Sequence, residues 1–224
     1  MPSTWLPTRS LFGVAIIAAT AFAAPASADA GPLVPGAKIS DETSWCTAAF
    51  AAQGGNNDYY IMTSGHCDAH DNSVWTYGDD DAPLGRVSAQ EYEENDETGT
   101  QKRDAAIIKL VPAVGAPTGD IGGRYVVRDV LSLGQIKAGM PFCKIGAVTG
   151  ETCGVVKGTE GDYAVETSVY SLPGDSGSPG FVKNPDGTVS AVGILTSSPD
   201  GDDHTTYFVL VRPLLSKWGL RILP

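Results

Sequence analysis

The sequence predicts an all-β fold made of two groups of short strands, followed by one short C-terminal helix. Three observations support this class. Short β-prone runs recur between Gly, Pro, Asn and Asp turn signals, helical spacing is confined to the C-terminal end, and a Gly- and Pro-rich stretch over residues 111–123 divides the runs into two groups. Short strands of this kind are typical of a sandwich or a barrel. The length of 224 residues suits one or two domains.

The first 28 residues have the pattern of an export signal. Arg9 precedes an apolar run over residues 11–24, and Ala26-Ser27-Ala28 supplies the small side chains that signal peptidase requires. An uncleaved membrane anchor is the alternative, but the run has 14 residues and a membrane-spanning helix needs about 20. We therefore expect a secreted, extracellular protein without membrane attachment after cleavage, with residues 29–44 as a short N-terminal segment.

Composition limits the partners of the chain. It is 42% hydrophobic, which is enough for a core, and 26 Asp+Glu against 15 Lys+Arg give a net charge of -11. This charge repels phosphate backbones and anionic lipid surfaces at long range. We expect no nucleic-acid partner, no membrane partner, no cofactor and no metal, and a monomeric protein.

Four cysteines in an exported chain indicate two disulfides, for which three pairings are possible. Cys143 and Cys153 flank a stretch with the turn residues of a hairpin, which favours a bond between its two stems. Cys46 then pairs with Cys67 by elimination. On the chain-entropy argument each bond contributes roughly 3 kcal/mol.

Nine β-prone runs are predicted strands, and Asn184-Pro185-Asp186-Gly187 is the sharpest hairpin signal between two of them. The predicted strands cover residues 59–63, 73–77, 105–110, 142–148, 154–157, 163–169, 180–183, 189–195 and 205–211. A helix is predicted over residues 212–220, where Pro213 suits a first turn and Leu214, Leu215 and Trp218 have helical spacing.

The residues that carry chemistry stand where predicted strands end. Pro173-Gly174-Asp175-Ser176-Gly177-Ser178-Pro179 places a serine in a Gly-flanked turn whose N–H groups can point outward. A serine hydroxyl attacks only if a base takes its proton and nearby donors hold the oxyanion. His66, in Ser64-Gly65-His66-Cys67, follows a predicted strand and suits the base. Asp104 opens an apolar run and suits the group that orients the imidazole.

Each of these residues also has a plainer interpretation. A lone Gly-Asp-Ser-Gly is usually an ordinary turn, and His66, Cys67, Asp68 and His70 could form a metal cluster if Cys67 were not needed for a disulfide. His204 has the setting of an exposed loop histidine. The acidic runs over residues 79–81 and 91–97 are expected to be solvated loops, with loose calcium binding as the alternative.

The three blocks, in the order His66, Asp104, Ser176 and separated by 38 and 72 residues, resemble those of the chymotrypsin-type serine protease family. Within it they are most similar to the bacterial secreted branch of streptogrisins and α-lytic protease. The hairpin between Cys143 and Cys153 resembles the disulfide hairpin of that branch, and Gly193-Ile194-Leu195-Thr196-Ser197 resembles its substrate-lining strand. The resemblance covers most of the chain after the export signal.

The resemblance implies two six-stranded antiparallel β-barrels, the chymotrypsin-like double barrel, with the site between them. Residues 45–115 would form the first barrel and residues 116–224 the second barrel with the C-terminal helix. His66 would act as general base and then acid, Asp104 would fix its tautomer, and Ser176 would form an acyl-enzyme. The N–H groups of Gly174 and Ser176 would form the oxyanion hole.

Further roles follow from the same resemblance. Ser197 would support the buried aspartate, and the backbone over Thr196, Ser197 and Ser198 would pair with an extended protein or peptide substrate. Lys144, where the bacterial branch often has arginine, would form an ion pair with Asp175.

Two departures from the family pattern lie near the predicted nucleophile. Gly177-Ser178 replaces paired glycines after the nucleophile, and Tyr170 stands where trypsin-like enzymes carry an aspartate, so Arg/Lys preference is not supported. Asp200, Asp202 and Asp203 could reach the pocket rim. Two function classes remain: a secreted serine endopeptidase, or a non-catalytic secreted binding protein on the same fold.

Overall fold

The computed structural model describes Met1 and residues 32–92, 103–199 and 201–224. Apart from Met1, the predicted export signal lies outside the described residues, as do Asp200 and most of the acidic run over residues 91–97. No helix of the described part has the length and apolar character needed to cross a membrane.

The described residues form fifteen strands and one α-helix. The strands are β1 Lys38–Ser40, β2 Trp45–Thr47, β3 Ala51–Gly54, β4 Tyr59–Thr63, β5 Trp75–Tyr77, β6 Ala82–Gln90, β7 Ala106–Leu110, β8 Val127–Val130, β9 Pro141–Gly146, β10 Gly150–Glu160, β11 Ala164–Thr167, β12 Pro179–Lys183, β13 Val189–Ser197, β14 Thr206–Leu210 and β15 Leu220–Ile222. The helix α1 is Val211–Trp218.

The strands divide into two sheets, which confirms the predicted fold class. The first has the order β15-β3-β4-β7-β6-β5-β1-β2. Its ends meet because β2 runs on into β3, with the N–H of Ala48 bonded to the Ala37 carbonyl and the N–H of Ala49 to the Met62 carbonyl. The second has the order β12-β9-β10-β11-β14-β13-β8, and an additional β12–β13 pairing closes six of its strands into an antiparallel barrel.

Pairing in the first sheet reaches beyond residues 45–115. β1 precedes this range in the sequence and pairs with β2 and β5. β15 comes from the end of the sequence and pairs with β3, with Leu220 opposite Gly54. Strands from before residue 45 and after residue 115 therefore complete the first sheet.

Every one of the nine predicted strands overlaps an observed one, and six strands were not predicted: β1, β2, β3, β6, β8 and β15. β6 was missed because Pro83 and Gly85 read as strand breakers, although β6 pairs with both β5 and β7. β3 was missed because its sequence, Ala-Ala-Gln-Gly, has low β propensity. It is held by burial and by pairing on both edges.

The predicted helical range of residues 212–220 is wrong at its C-terminal end. The helix ends at Trp218 because Gly219 adopts a left-handed conformation, with φ of 63°. Leu220 then begins β15. The buried face of α1, formed by Val211, Leu214 and Leu215, belongs to a hydrophobic cluster that also contains Phe50 of the first barrel. This shared cluster joins the two barrels.

Gly85 is a position where close backbone approach requires glycine. It faces Leu110 across the β6–β7 pair, and a Cβ there would lie 2.0 Å from the carbonyl oxygen of Lys109. We expect Gly85→Ala to lower the free energy of unfolding by about 1–3 kcal/mol, because the two strands must separate to admit the methyl group.

The matched control is Gly55→Ala, since a Cβ at Gly55 meets no atom within 4 Å. Its effect should stay within about 0.5 kcal/mol. Urea unfolding of both variants measures the difference, and equal stability of Gly85→Ala and Gly55→Ala would contradict the expectation.

Candidate active site

His66 is held by Asp104 at two points. It lies in a short 3-10 turn, Gly65–Cys67, directly after β4, and Cys67 is bonded to Cys46. The backbone N–H of His66 donates to Asp104 Oδ1 at 2.7 Å, and the ring nitrogen Nδ1 lies 2.6 Å from Asp104 Oδ2. Both oxygens of the Asp104 carboxylate therefore hold His66 in place. This contact keeps the ring proton on Nδ1 and leaves Nε2 free to accept a proton.

Asp104 is fully buried, and its partners come from two distant parts of the chain. Besides His66, the hydroxyl of Thr196 donates to Asp104 Oδ2. The expectation that Ser197 supports this carboxylate is wrong. Near the end of β13 Thr196 is buried while Ser197 is exposed. No alternation in the sequence distinguishes the two, because every residue of β13 before Ser197 is buried and the strand is bulged between Leu195 and Ser197.

The loop that carries Ser176 packs against the strands that lead to His66. The N–H of Thr47 donates to the Ser176 carbonyl at 2.8 Å, and the N–H of Gly177 donates to the Leu195 carbonyl at 2.9 Å. Gly177 has φ of 87°, and a Cβ there would lie 2.3 Å from both the Thr47 carbonyl oxygen and the Thr63 hydroxyl. Only glycine allows this close contact.

The serine and histidine parts of the site share one acceptor. The hydroxyl of Ser64, two residues before His66, donates to the Leu195 carbonyl at 2.5 Å, beside the bond from Gly177. Within the described residues the Ser176 hydroxyl makes no hydrogen bond, so its contact with the His66 ring is not formed in this structure. Such contacts are often long or poorly aligned before substrate binds.

Two backbone N–H groups beside Ser176 are left without acceptors. Gly174 adopts φ of 96°, and its carbonyl accepts a hydrogen bond from the Thr47 hydroxyl at 2.9 Å. No group of the described chain accepts from the N–H of Gly174 or of Ser176. A Cβ at Gly174 would lie 2.2 Å from the ring of Trp45, so this conformation also requires glycine. Two unpaired donors at one turn suit an anionic oxygen.

The expected ion pair between Lys144 and Asp175 is present and completely buried. Lys144 Nζ lies 3.1 Å from Asp175 Oδ2, and neither side chain is exposed. The hydroxyl of Thr149 donates to the same carboxylate at 2.6 Å, and backbone N–H groups of Val148, Thr149 and Leu172 add three further bonds of 3.0–3.1 Å. The carboxylate next to the candidate nucleophile is therefore fully partnered.

The pKa of Asp175 lies below its usual value. Burial alone would raise it, but the hydrogen bond from Thr149, the charge of Lys144 and the backbone donors outweigh burial. Burial lowers the pKa of Lys144, against the opposing effect of Asp175. The pair therefore stabilises the ionised carboxylate in a water-free position.

Ser178, the departure from the family pattern, fits without displacing its neighbours. Its side chain is fully buried, and its hydroxyl donates to the Asp175 carbonyl at 2.5 Å. The glycine that this packing requires is Gly146, where a Cβ would lie 2.2 Å from Asp175 Oδ1 and 2.7 Å from the Ser178 hydroxyl.

Both disulfide pairings agree with the sequence analysis. Cys46 is bonded to Cys67, and Cys143 is bonded to Cys153, its direct partner in the β9–β10 register. The sulfur atoms of Cys46 and Cys67 lie within 4.8 Å of a His66 ring nitrogen. They carry no thiolate, because they are joined to each other, and so they offer no metal ligand of the usual kind.

Comparison with known proteins identifies relatives in sequence and in fold. No protein-family model matches the sequence. An uncharacterized protein of Mycobacterium tuberculosis is 26% identical over 190 residues, which cover 82% of each chain. Among solved structures, an alpha-lytic protease homolog (N4) matches with a TM-score of 0.65 and 26% identity over 84% of this chain and 97% of its own.

Two further solved structures share the fold. A glutamic acid specific serine protease matches with a TM-score of 0.68 and 22% identity, over 86% of this chain and 100% of its own. Nocardiopsis protease matches with a TM-score of 0.62 and 21% identity, over 85% of this chain and 98% of its own. These neighbours are bacterial chymotrypsin-like serine proteases, so the resemblance read from the sequence motifs is confirmed.

The buried ion pair gives a stability prediction. We expect Lys144→Met to lower the free energy of unfolding by about 3–5 kcal/mol at pH 7, because Asp175 is left as a buried charge without its cation. The matched control is Lys183→Met, whose lysine is 44% exposed and pairs with Glu151; it should cost about 0–1 kcal/mol. Urea unfolding distinguishes the two.

The pH dependence follows from the lowered pKa of Asp175. A carboxyl with a lowered folded-state pKa stabilises the fold above its unfolded value of about 4, and this contribution is lost as the pH falls through the folded value. In Lys144→Met the positive charge that helps to lower the pKa of Asp175 is gone, so the pKa of Asp175 in the folded state rises. Acid unfolding should therefore begin at higher pH than in the wild type. Identical acid-unfolding midpoints would contradict this account.

Proposed function

We propose that this chain is a secreted serine endopeptidase that hydrolyses peptide bonds through an acyl-enzyme on Ser176. The observation that carries the proposal is the hold of buried Asp104 on both the backbone and the ring of His66. A carboxylate in this position fixes the imidazole so that Nε2 faces outward as a base. The ring is 28% exposed, so a substrate can reach it.

The chemistry follows from these positions. Ser176 Oγ attacks the substrate carbonyl carbon while His66 Nε2 takes the hydroxyl proton, and the carbonyl oxygen becomes an oxyanion. The N–H groups of Gly174 and Ser176 hold this oxyanion. His66 then gives its proton to the leaving nitrogen as the carbon–nitrogen bond breaks, and a water molecule releases the acyl group by the same steps.

Asp104 stabilises the imidazolium that forms in both steps. Its negative charge is buried, so it must be compensated by donors within the protein. Three donors are present: the backbone N–H and Nδ1 of His66, and the hydroxyl of Thr196. Thr196 is therefore a positioning residue, which acts on His66 through Asp104.

The exposed end of β13 suits a peptide substrate. Ser197 is the last residue of β13, Ser198 follows it, and both are exposed beside Thr196. An extended peptide can add to such a strand end through main-chain hydrogen bonds, which are tolerant of sequence. The similar solved structures are proteases, and this supports a protein or peptide substrate. Two disulfides support an oxidising, extracellular location.

Gly177-Ser178 is one of the sequence features that favoured the alternative, a non-catalytic binding protein on the same fold. In the structure Ser178 has space and a hydrogen-bond partner, and no described residue accepts from the N–H groups of Gly174 and Ser176. A collapsed turn would have consumed these donors. The enzyme interpretation is therefore favoured.

Labelling with a fluorophosphonate tests the proposal. The wild-type protein should react once, at Ser176, because the reagent needs an activated serine and an oxyanion site. Ser176→Ala and His66→Ala should not react, whereas Ser178→Ala should. Mass spectrometry of the labelled peptide identifies the site. Correctly disulfide-bonded wild type that remains unlabelled would support the binding protein instead.

Thr196 gives a second test. We expect Thr196→Val to lower kcat/KM by about 10- to 100-fold, because a buried carboxylate loses a charge-assisted donor. Thr196→Ser keeps the hydroxyl and should recover most of the activity. Ser197→Ala should have a smaller effect than Thr196→Val, since the Ser197 side chain is exposed. The opposite order would restore Ser197 as the residue that supports Asp104.

A further inference from the structure

We infer that the substrate residue whose carbonyl is attacked must have a small side chain, because three hydroxyl groups close the space in which that side chain would lie. The inference rests on the proposed function, since it concerns the same site. The hydroxyls belong to Ser171, Ser198 and Thr206, which come from three separate segments of the second barrel.

The position of the substrate side chain follows from the proposed contacts. Its carbonyl oxygen lies at the N–H groups of Gly174 and Ser176, and its backbone runs along residues 196–198. The side chain of that residue must then enter between residues 171–174, which precede the nucleophile, and the end of β13. The three hydroxyls occupy this region.

The hydroxyls are bonded across the gap. Ser171 Oγ lies 3.0 Å from Ser198 Oγ and 2.8 Å from Thr206 Oγ1, and Ser198 Oγ lies 3.4 Å from Thr206 Oγ1. Ser171 is 4% exposed and Thr206 is fully buried. A bond of 3.0 Å between Ser171 and Ser198 leaves no room for a large side chain to pass between them.

The direction of the hydrogen bonds makes the cluster costly to open. Thr206 donates its proton to the Val169 carbonyl at 2.7 Å, so it can only accept from the other two hydroxyls. Ser171 donates its proton to Thr206, and Ser198 donates its own to Ser171, its nearer neighbour. A large substrate side chain that separated Ser171 from Thr206 would leave the buried Ser171 hydroxyl without its acceptor, which is unfavourable.

The segment of residues 170–171, which carries the Ser171 hydroxyl, is held by hydrogen bonds to two other segments. The N–H of Ser171 donates to the Asp203 carbonyl at 3.0 Å, and the carbonyl of Tyr170 accepts from the Thr152 hydroxyl at 2.7 Å. The ring of Tyr170 packs on His204, with centroids 5.1 Å apart. The gap therefore cannot widen by a simple shift of residues 170–171.

Of the acidic residues expected near the rim, Asp202 is engaged within its own loop. Asp202 Oδ1 accepts from the N–H of His204, and Asp203 contributes its backbone carbonyl to Ser171. Asp200 lies outside the described residues. Size, set by uncharged hydroxyls, is therefore the property that selects the substrate residue.

A panel of otherwise identical peptides, varied only at the residue before the cleaved bond, tests the inference on the wild-type protein. Ala and Ser should give kcat/KM about 100-fold or more above Phe, Arg and Glu. Fluorophosphonate labelling is measured first on the same preparation. Absence of labelling contradicts the proposed function itself, whereas a labelled enzyme that cleaves best after Phe, Arg or Glu overturns only the size inference.

Ser198→Gly removes one of the three hydroxyls at an exposed position, where folding should be little affected. We expect the ratio of kcat/KM for Phe to that for Ala to rise about tenfold or more. The matched control is Ser216→Gly, on the exposed side of α1, which should leave the ratio unchanged. A ratio that does not change in Ser198→Gly, measured on protein with a wild-type unfolding midpoint, overturns the inference.

Discussion

The hydrogen bonds at Leu195 and Thr196 hold together parts of the site that are far apart in sequence. The Leu195 carbonyl accepts from the Ser64 hydroxyl and from the N–H of Gly177, and the Thr196 hydroxyl donates to Asp104. Two neighbouring residues of β13 thus contact the histidine, aspartate and serine segments. The two barrels can be oriented for chemistry only if this strand end is correctly placed between them.

The buried pair of Lys144 and Asp175 imposes a second constraint, on the nucleophile loop. Asp175 adjoins Ser176, and its carboxylate is held from the β9–β10 hairpin by Lys144, Val148 and Thr149. The Cys143–Cys153 disulfide lies at the base of the same hairpin. The shape of the loop is therefore fixed by charges and bonds that water does not reach, and screening by salt has little influence on it.

The sequence predicted those features that depend on local pattern. The nine β-prone runs, both disulfides and the contact between His66 and Asp104 were found in this way or through the family resemblance. Features that depend on tertiary contacts were missed. Ala51–Gly54 becomes a strand only between two partners, Ala82–Gln90 does so despite a proline, and the cluster at Ser171 joins segments with no common motif. Thr196 was missed for the same reason, since its position beside Asp104 follows a bulge in β13 that the sequence does not indicate.

The pairing of β15 with β3 has a consequence for how the protein reaches its native state. Leu220–Ile222 lies far from β3 in the sequence, yet it completes one edge of the first sheet, and the N–H of Leu223 bonds to the Ala51 carbonyl. Until this pairing forms, β3 has an unpaired edge, which is exposed to aggregation. Contacts of this sequence separation also slow folding, because a long loop must close before they form.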